Sequence, residues 1–377
     1  MSARRTLAMT RKEVLHIVRD PRSLAIALAV PLVMLLLFGY ALTLDVDRVP
    51  TLIYDSDNSP QSRALIERFS ASRYFDVQGH VGNYAAIERE VDFGNVMLGL
   101  VIPSDYSRKL GAGQRVDVQV LVDGSDSNTA GIALGYVTGL MATYNLELRL
   151  AEQERLTGRR LKPPAEARLR VLYNSQLESK NYIVPGLIAV ILMIIASLLT
   201  SLTIAREWEM GTMEQVLSTP LRPSEIALGK MLAYFAVGVI DTAMSIAIGV
   251  WLFHVPLRGN VVLLGISCGV FLVGALFWGI LISATTRSQL FAYQAGMISS
   301  FLPAFLLSGF IYAIENMPIP IQIFTYIVPA RYFIVILKGI FLKGVGIEVL
   351  WVEFVFLLAF GVIVFLAATK KLRQKVA

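Results

Sequence analysis

Long apolar runs separated by short polar breaks dominate the chain, and one broad polar stretch interrupts them near the start. The runs are Leu24–Leu44, Tyr182–Ile204, Met231–Phe253, Val261–Ile282, Leu290–Phe310 and Val349–Ala368. Each approaches the roughly 20 apolar residues that a helix needs to cross a bilayer core. A further apolar stretch, Ile319–Phe341, is broken by Pro320, Pro329 and Arg331, so 311–348 reads as a re-entrant or interfacial segment. The pattern predicts a polytopic α-helical membrane protein with six transmembrane helices. Residues 1–23 predict an amphipathic helix along the membrane surface. Leu7, Val14, Leu15 and Val18 share one face, basic residues lie opposite, and Asp20-Pro21 stops it.

The polar stretch 45–181 has a different grammar. Strands are predicted at Thr51–Tyr54, Phe75–Gln78, Val96–Ile102 and Val116–Val122, with helices near Gln61–Ser70, Tyr84–Val91 and Ser104–Leu110. Ser127 to Leu156 reads as a long helix, and Arg168–Tyr173 as a last strand. Strands alternating with helices predict an inserted α/β domain. The turn Asp55-Ser56-Asp57-Asn58-Ser59 leads into Pro60 and suits a helix N-terminus better than a cation site.

Composition agrees with the runs: of 377 residues, 55% are hydrophobic and 16% charged, against about a quarter charged in an ordinary soluble domain. The net charge of +6 does not point to nucleic acid, because the basic residues cluster beside the runs. Arg4, Arg5, Arg11, Lys12, Arg19 and Arg22 precede the first, and Lys370, Lys371, Arg373 and Lys375 follow the last. The positive-inside rule then places both termini in the cytosol, the tail being 369–377, and the domain 45–181 outside. The first run and its charged leader read as an uncleaved anchor, longer than a signal core. The single cysteine, Cys268, lies inside a run, so the outer domain contains no disulfide.

Candidate chemistry is sparse. No G-x-x-x-x-G-K-[S/T] phosphate loop occurs, and His16, His80 and His254 lack metal-ligand spacing. The polar connection 205–230 sets Glu207, Glu214 and Glu225 among Trp208, Met210 and Met213, with Pro220 and Pro223 dividing it into short helices. Such a segment serves either as a docking knob for a soluble partner or as a solvated linker. Asp241 lies mid-run and admits a structural hydrogen bond, proton or cation coupling, or a substrate contact. Gly265 and Gly269 form a small-x-x-x-small pair suited to close helix packing. Arg331 suits an anionic head group or a pair with Glu315.

Glu207, Gly211-Thr212, Glu214-Gln215 and Ser218-Thr219-Pro220 resemble the pattern E-x-x-x-G-T-x-E-x-L/V-x-x-T/S-P of ABC-2 type permeases, the membrane subunits of ABC exporters. Lys12-Glu13 with Arg19-Asp20-Pro21, the Asp55–Ser59 turn, and Pro329-Ala330-Arg331-Tyr332 are also similar to that family. Val216 stands where leucine or isoleucine is usual. The resemblance implies a permease without its own nucleotide site, with ATP and magnesium held by a separate cytosolic ATPase. It further implies coupling through Glu207, Gly211, Thr212, Glu214 and Pro220, together with the N-terminal residues Lys12, Glu13, Arg19 and Asp20. A second permease, identical or paralogous, is expected, with membrane lipid around it and an adaptor outside. The expected cargo is a drug, lipid or other amphipathic molecule leaving across the inner membrane. A proton-coupled secondary transporter using Asp241, or a sensor or scaffold, are the rival expectations.

Overall fold

The computed structural model describes residues 2–42, 46, 48–158, 170, 172–174 and 178–376. The chain forms two compact units, Leu44–Leu169, and Met1–Thr43 with Arg170–Ala377. In the discontinuous unit, α1 (Ala3–Arg19) stops at Asp20, and Pro21 opens α2 (Pro21–Ala41) at the position where a missing N–H costs nothing. The apolar residues Leu7, Val14, Leu15 and Val18 of α1 are exposed, as a helix along a membrane surface requires, whereas Met9 and Glu13 are buried against the rest of the unit.

The continuous unit is a small α/β fold, in chain order β1 (Val49–Asp55), α3 (Pro60–Ala71), β2 (Phe75–His80), α4 (Tyr84–Asp92), β3 (Leu98–Ile102), α5 (Tyr106–Gly111), β4 (Gln119–Val122) and α6 (Ser127–Thr157). The sheet order is β2-β1-β3-β4, with β4 antiparallel and the other pairs parallel. Ile53, Leu100 and Phe69 lie in its core. The Asp55–Ser59 turn is a helix cap: Oδ1 of Asp55 accepts from the amides of Asp57 and Asn58 at 3.0 and 3.1 Å, and Ser59 and Ser62 form a capping box for α3. The strand expected at 168–173 falls largely outside the described residues; Arg170, Leu172 and Tyr173 are not in a strand.

The remaining helices are α7 (Lys180–Glu209), α8 (Met213–Leu217), α9 (Pro223–Trp251), α10 (Val261–Thr285), α11 (Gln289–Leu306), α12 (Ile319–Thr325), α13 (Pro329–Lys338) and α14 (Ile347–Val376). Five helices are long and apolar enough to cross a bilayer: α2, α7, α9, α10 and α14. The expected fifth run, 290–310, is not among them. Its helix α11 is 18 residues long, ends four residues early beyond Pro303, and is diluted by Gln289, Gln294, Ser299 and Ser300. Conversely, α12 and the helical stretch Pro329–Lys343 form a pair bent by 78°, the geometry of a broken span or a re-entrant hairpin. The bend follows from Pro329, which forces Val328 into extended backbone.

Helix α7 is the hub. In its most apolar window 83% of residues are buried, against 50% or less in the other four candidate spans. Its neighbours approach closely where side chains vanish. A Cβ on Gly279 of α10 would lie 2.3 Å from the Ser197 carbonyl oxygen, and one on Gly296 of α11 would lie 2.9 Å from Ser201 Oγ. Interhelical hydrogen bonds add to this packing: Thr200 Oγ1 donates to the Leu276 carbonyl at 2.9 Å, and Ser283 Oγ accepts from the Ile204 and Ala205 amides.

Candidate functional site

The end of α7, the short α8, the start of α9 and the whole of α1 converge at one end of the bundle. The α9 N-terminus is built first. Glu225 reaches back to accept from the Arg222 amide at 2.9 Å, satisfying a donor that the helix itself leaves unpaired. The same carboxylate accepts from the Ser2 amide at 2.7 Å and faces the Arg5 guanidinium at 3.4 Å. Arg5 also donates to the Pro220 carbonyl at 2.5 Å. The start of α1 is therefore pinned across the loop that precedes α9.

One and two turns along α1, Met9 and Glu13 face α9. Gly229 makes this approach possible, because a Cβ there would sit 2.6 Å from Met9 Cβ. Beside it, Lys230 is 1% exposed, and its ammonium lies 2.9 Å from Oε1 of Glu13 and 3.0 Å from Oε2 of Glu207. Lys12 closes the cluster, 3.1 Å from Glu13 and bonded to Glu207. Buried charges require partners, and here two lysines and two glutamates alternate so that each like-charged pair is separated by opposite charge. Burial alone would raise the Glu13 pKa, but Lys230 and Lys12 outweigh it and hold the carboxyl below its ordinary value. Burial likewise opposes the Lys12 ammonium, yet Glu207 and Glu13 hold its pKa above the ordinary lysine value.

Helix α7 ends at Met210, and Gly211 follows with φ +70°, the left-handed residue that commonly closes a helix. Its amide donates to the Trp208 carbonyl at 3.2 Å. Thr212 Oγ1 lies 3.4 Å from the Glu207 carbonyl oxygen. Glu209 accepts from the Gln289 amide at 2.7 Å and so ties the same turn to α11, while Arg287 stacks over the Trp208 ring at 4.9 Å. Glu214, by contrast, is exposed and makes no ion pair among the described residues. The structure thus divides the predicted residues: Glu207, Lys12 and Glu13 meet in one cluster, whereas Gly211, Glu214 on α8, and Pro220 are exposed along the connection between α7 and α9. Arg19 is exposed at the end of α1, and Asp20 is the joint between α1 and α2.

Asp241 lies apart from this cluster. It is 1% exposed, and neither carboxylate oxygen has a hydrogen-bond partner among the described residues. Gly265 and Gly269 differ from their expected role within the chain. Among the described residues, a Cβ on Gly265 would meet nothing within 4 Å outside its own helix backbone, and one on Gly269 would meet Phe235 at an ordinary 3.7 Å. The close approaches of α10 fall instead at Gly274 and Gly279. Among the described residues, no three His, Cys, Asp or Glu side chains are placed to hold a metal ion. Sequence reading missed Lys230, Arg5 and the capping role of Glu225. The available signal was Lys230 itself, a charge at the edge of an apolar run, which calls for a buried partner.

Beneath the cluster lies a cavity of about 370 Å³ between α1, α2, α7 and α9.

A family model described as ABC-2 family transporter protein matches residues 21–370. The chain is 35% identical over 363 residues to the probable multidrug ABC transporter permease YbhS of Escherichia coli (strain K12), covering 96% of this chain and 95% of that protein. It is 33% identical over 347 residues to the probable multidrug ABC transporter permease YbhR of the same strain, covering 92% of each. The inner membrane transport permease YhhJ of that strain is 25% identical over 336 residues, covering 87% of this chain and 86% of YhhJ. These matches run through both units and the polar connection between α7 and α9. The chain belongs to the ABC-2 family of transporter proteins and is a multi-pass membrane permease subunit of an ABC exporter.

Proposed function

We propose that this permease exports a hydrophobic or amphipathic compound, a drug or a lipid, across a bacterial inner membrane. ATP and magnesium reside on a separate cytosolic ATPase, and a second permease completes the path. The proposed topology has both termini and the 210–222 connection in the cytosol, and the 44–169 unit outside, where an adaptor meets it. Two relatives carry the word multidrug in their names, which supports the substrate class.

The observation that carries this reading is the buried Lys12–Glu13–Lys230–Glu207 cluster. The ATPase docks on the exposed turn, with Met210, Glu214 and the α8 backbone as contacts. Gly211 gives the turn its left-handed bend, Thr212 lies against the end of α7, and Pro220 gives its carbonyl to Arg5. Motion of that turn cannot be absorbed locally, because the cluster fastens the end of α7 to both α1 and α9. Arg19 and Asp20 form the joint through which α1 pulls on α2. Since α7 is the most buried span, its displacement reaches α2, α9, α10 and α11 together. Reconstitution of the permease with its ATPase in proteoliposomes tests this. Export of a fluorescent amphiphile should require ATP hydrolysis and should fail in Glu214→Lys. Transport without any ATPase, or driven by a proton gradient alone, would sink the proposal.

A further inference from the structure

The cavity beneath the charge cluster has a polar end and an apolar end. Arg206 and His16 stand at the polar end with Lys12. Leu202 and Leu199 follow Arg206 one and two turns deeper into α7, and Leu24 of α2 and Val237 of α9 face the same space. The carboxylates of the lining are engaged: Glu13 and Glu207 by the two lysines, and Asp20 by a partner of its own. Arg206 is half-buried, and its side chain has no hydrogen bond or ion pair among the described residues; nor has that of the exposed His16. A guanidinium partly withdrawn from water and lacking a carboxylate can still take a partner, and its planar fork suits a phosphate.

We propose that this cavity binds the anionic headgroup of a membrane amphiphile, with Arg206 on its phosphate and an acyl chain lying along Leu202, Leu199 and Val237. The volume of about 370 Å³ lies at the lower end of ordinary ligand pockets. It holds a headgroup and the start of a chain, and the rest of the chain runs into the bilayer between α2 and α9. The ligand thereby touches both the α1 joint and the coupling turn. This inference rests on the membrane reading of α2, α7 and α9, and is independent of which ATPase drives the protein.

The full-length protein in nanodiscs, exposed to phosphatidylglycerol or phosphatidylcholine, tests it by native mass spectrometry after release into detergent. The unmodified protein should retain phosphatidylglycerol in preference. Arg206→Gln should lower that preference about tenfold, the size of one lost charge-assisted contact. Leu202→Trp, which fills the apolar wall and leaves every charge in place, should remove retention altogether. Arg4→Gln, an exposed cation outside the cavity, should leave the preference unchanged. Equal retention of both lipids by the unmodified protein, or equal effects of Arg4→Gln and Arg206→Gln, would overturn the proposal. Displacement of the lipid by inorganic phosphate at matched concentration would also overturn it, since the acyl chain would then contribute nothing.

Discussion

The ammonium of Lys230 sits 2.9 Å from the carboxylate of Glu13, across 217 residues of sequence. One residue begins the third helix turn of a span, and the other belongs to a surface helix before the first span. Both are buried, and each offsets part of the cost of burying the other's charge. Removing one partner of a buried pair costs roughly 3–5 kcal/mol. Lys230→Met should therefore lower the Tm of the detergent-solubilised protein, and so should Glu13→Gln. The two together should cost less than their sum in a double-mutant cycle. Additive losses would show that the contact carries no coupling.

The pH window follows from the two shifted groups. Glu13 is held below its ordinary 4.5, so its contribution is complete above about that pH and is lost as pH falls through the lower folded value. Lys12 is held above its ordinary 10.5, so its contribution is complete below that pH and is lost as pH rises through the higher folded value. Docking of α1, followed by protease access to the Asp20 joint, should be flat between these limits and loosen beyond each. Glu13→Gln should weaken the acid limb while leaving the alkaline one, because the Glu225 carboxylate still holds the Ser2 amide and Arg5.

Gly229→Ala tests close approach. The added methyl would meet Met9 at 2.6 Å, and relief requires α1 to move. A loss of roughly 1–3 kcal/mol is expected from overpacking. Met9→Gly, which removes the clashing Cβ, should make the Gly229→Ala step cost less than it does in the unmodified chain, which a general intolerance of α9 to alanine would not allow.

Glu207 and Glu214 belong to one sequence motif but separate in kind. Glu214→Gln should leave Tm unchanged within about 0.5 kcal/mol, as for most exposed substitutions, while ATP-driven export falls. Glu207→Gln should reduce both, because Lys230 then loses one of its two carboxylates. Equal thermal loss in both variants would refute the division between buried strut and exposed contact.

Asp241→Asn keeps the shape and removes an ionisable group whose oxygens have no hydrogen-bond partner among the described residues. The expected outcome is an unchanged or higher Tm and retained export. Lost export in a folded Asp241→Asn protein would mean that the carboxylate takes part in transport.

Much of the architecture was readable along the chain, because a bilayer imposes a single rule on every span. Apolar length alone located α2, α7 and α10 to within five residues at each end, and α9 and α14 to within eight. Helix α11 also lies where a run was expected, but its glutamines and serines leave it less apolar than those five. The helix cap at Asp55–Ser59 was legible because its hydrogen bonds are local. The buried face of α1, with Met9 and Glu13, was not. Helical spacing groups Leu7 with Val18, yet which group turns inward depends on Gly229 lying opposite Met9.

The amino-acid sequence by itself determined that the chain crosses a membrane repeatedly, contains a separate α/β unit, and presents a charged G-T-x-E turn without a phosphate loop. Those properties follow from composition and local spacing, which a linear reading records in full. Only the tertiary structure decided that Lys12, Glu13, Glu207 and Lys230 form one cluster, and that Glu214 stands outside it. Pairing of buried charges is a demand that composition can announce, but the partner is chosen by helix rotation and close contact between segments far apart in the chain.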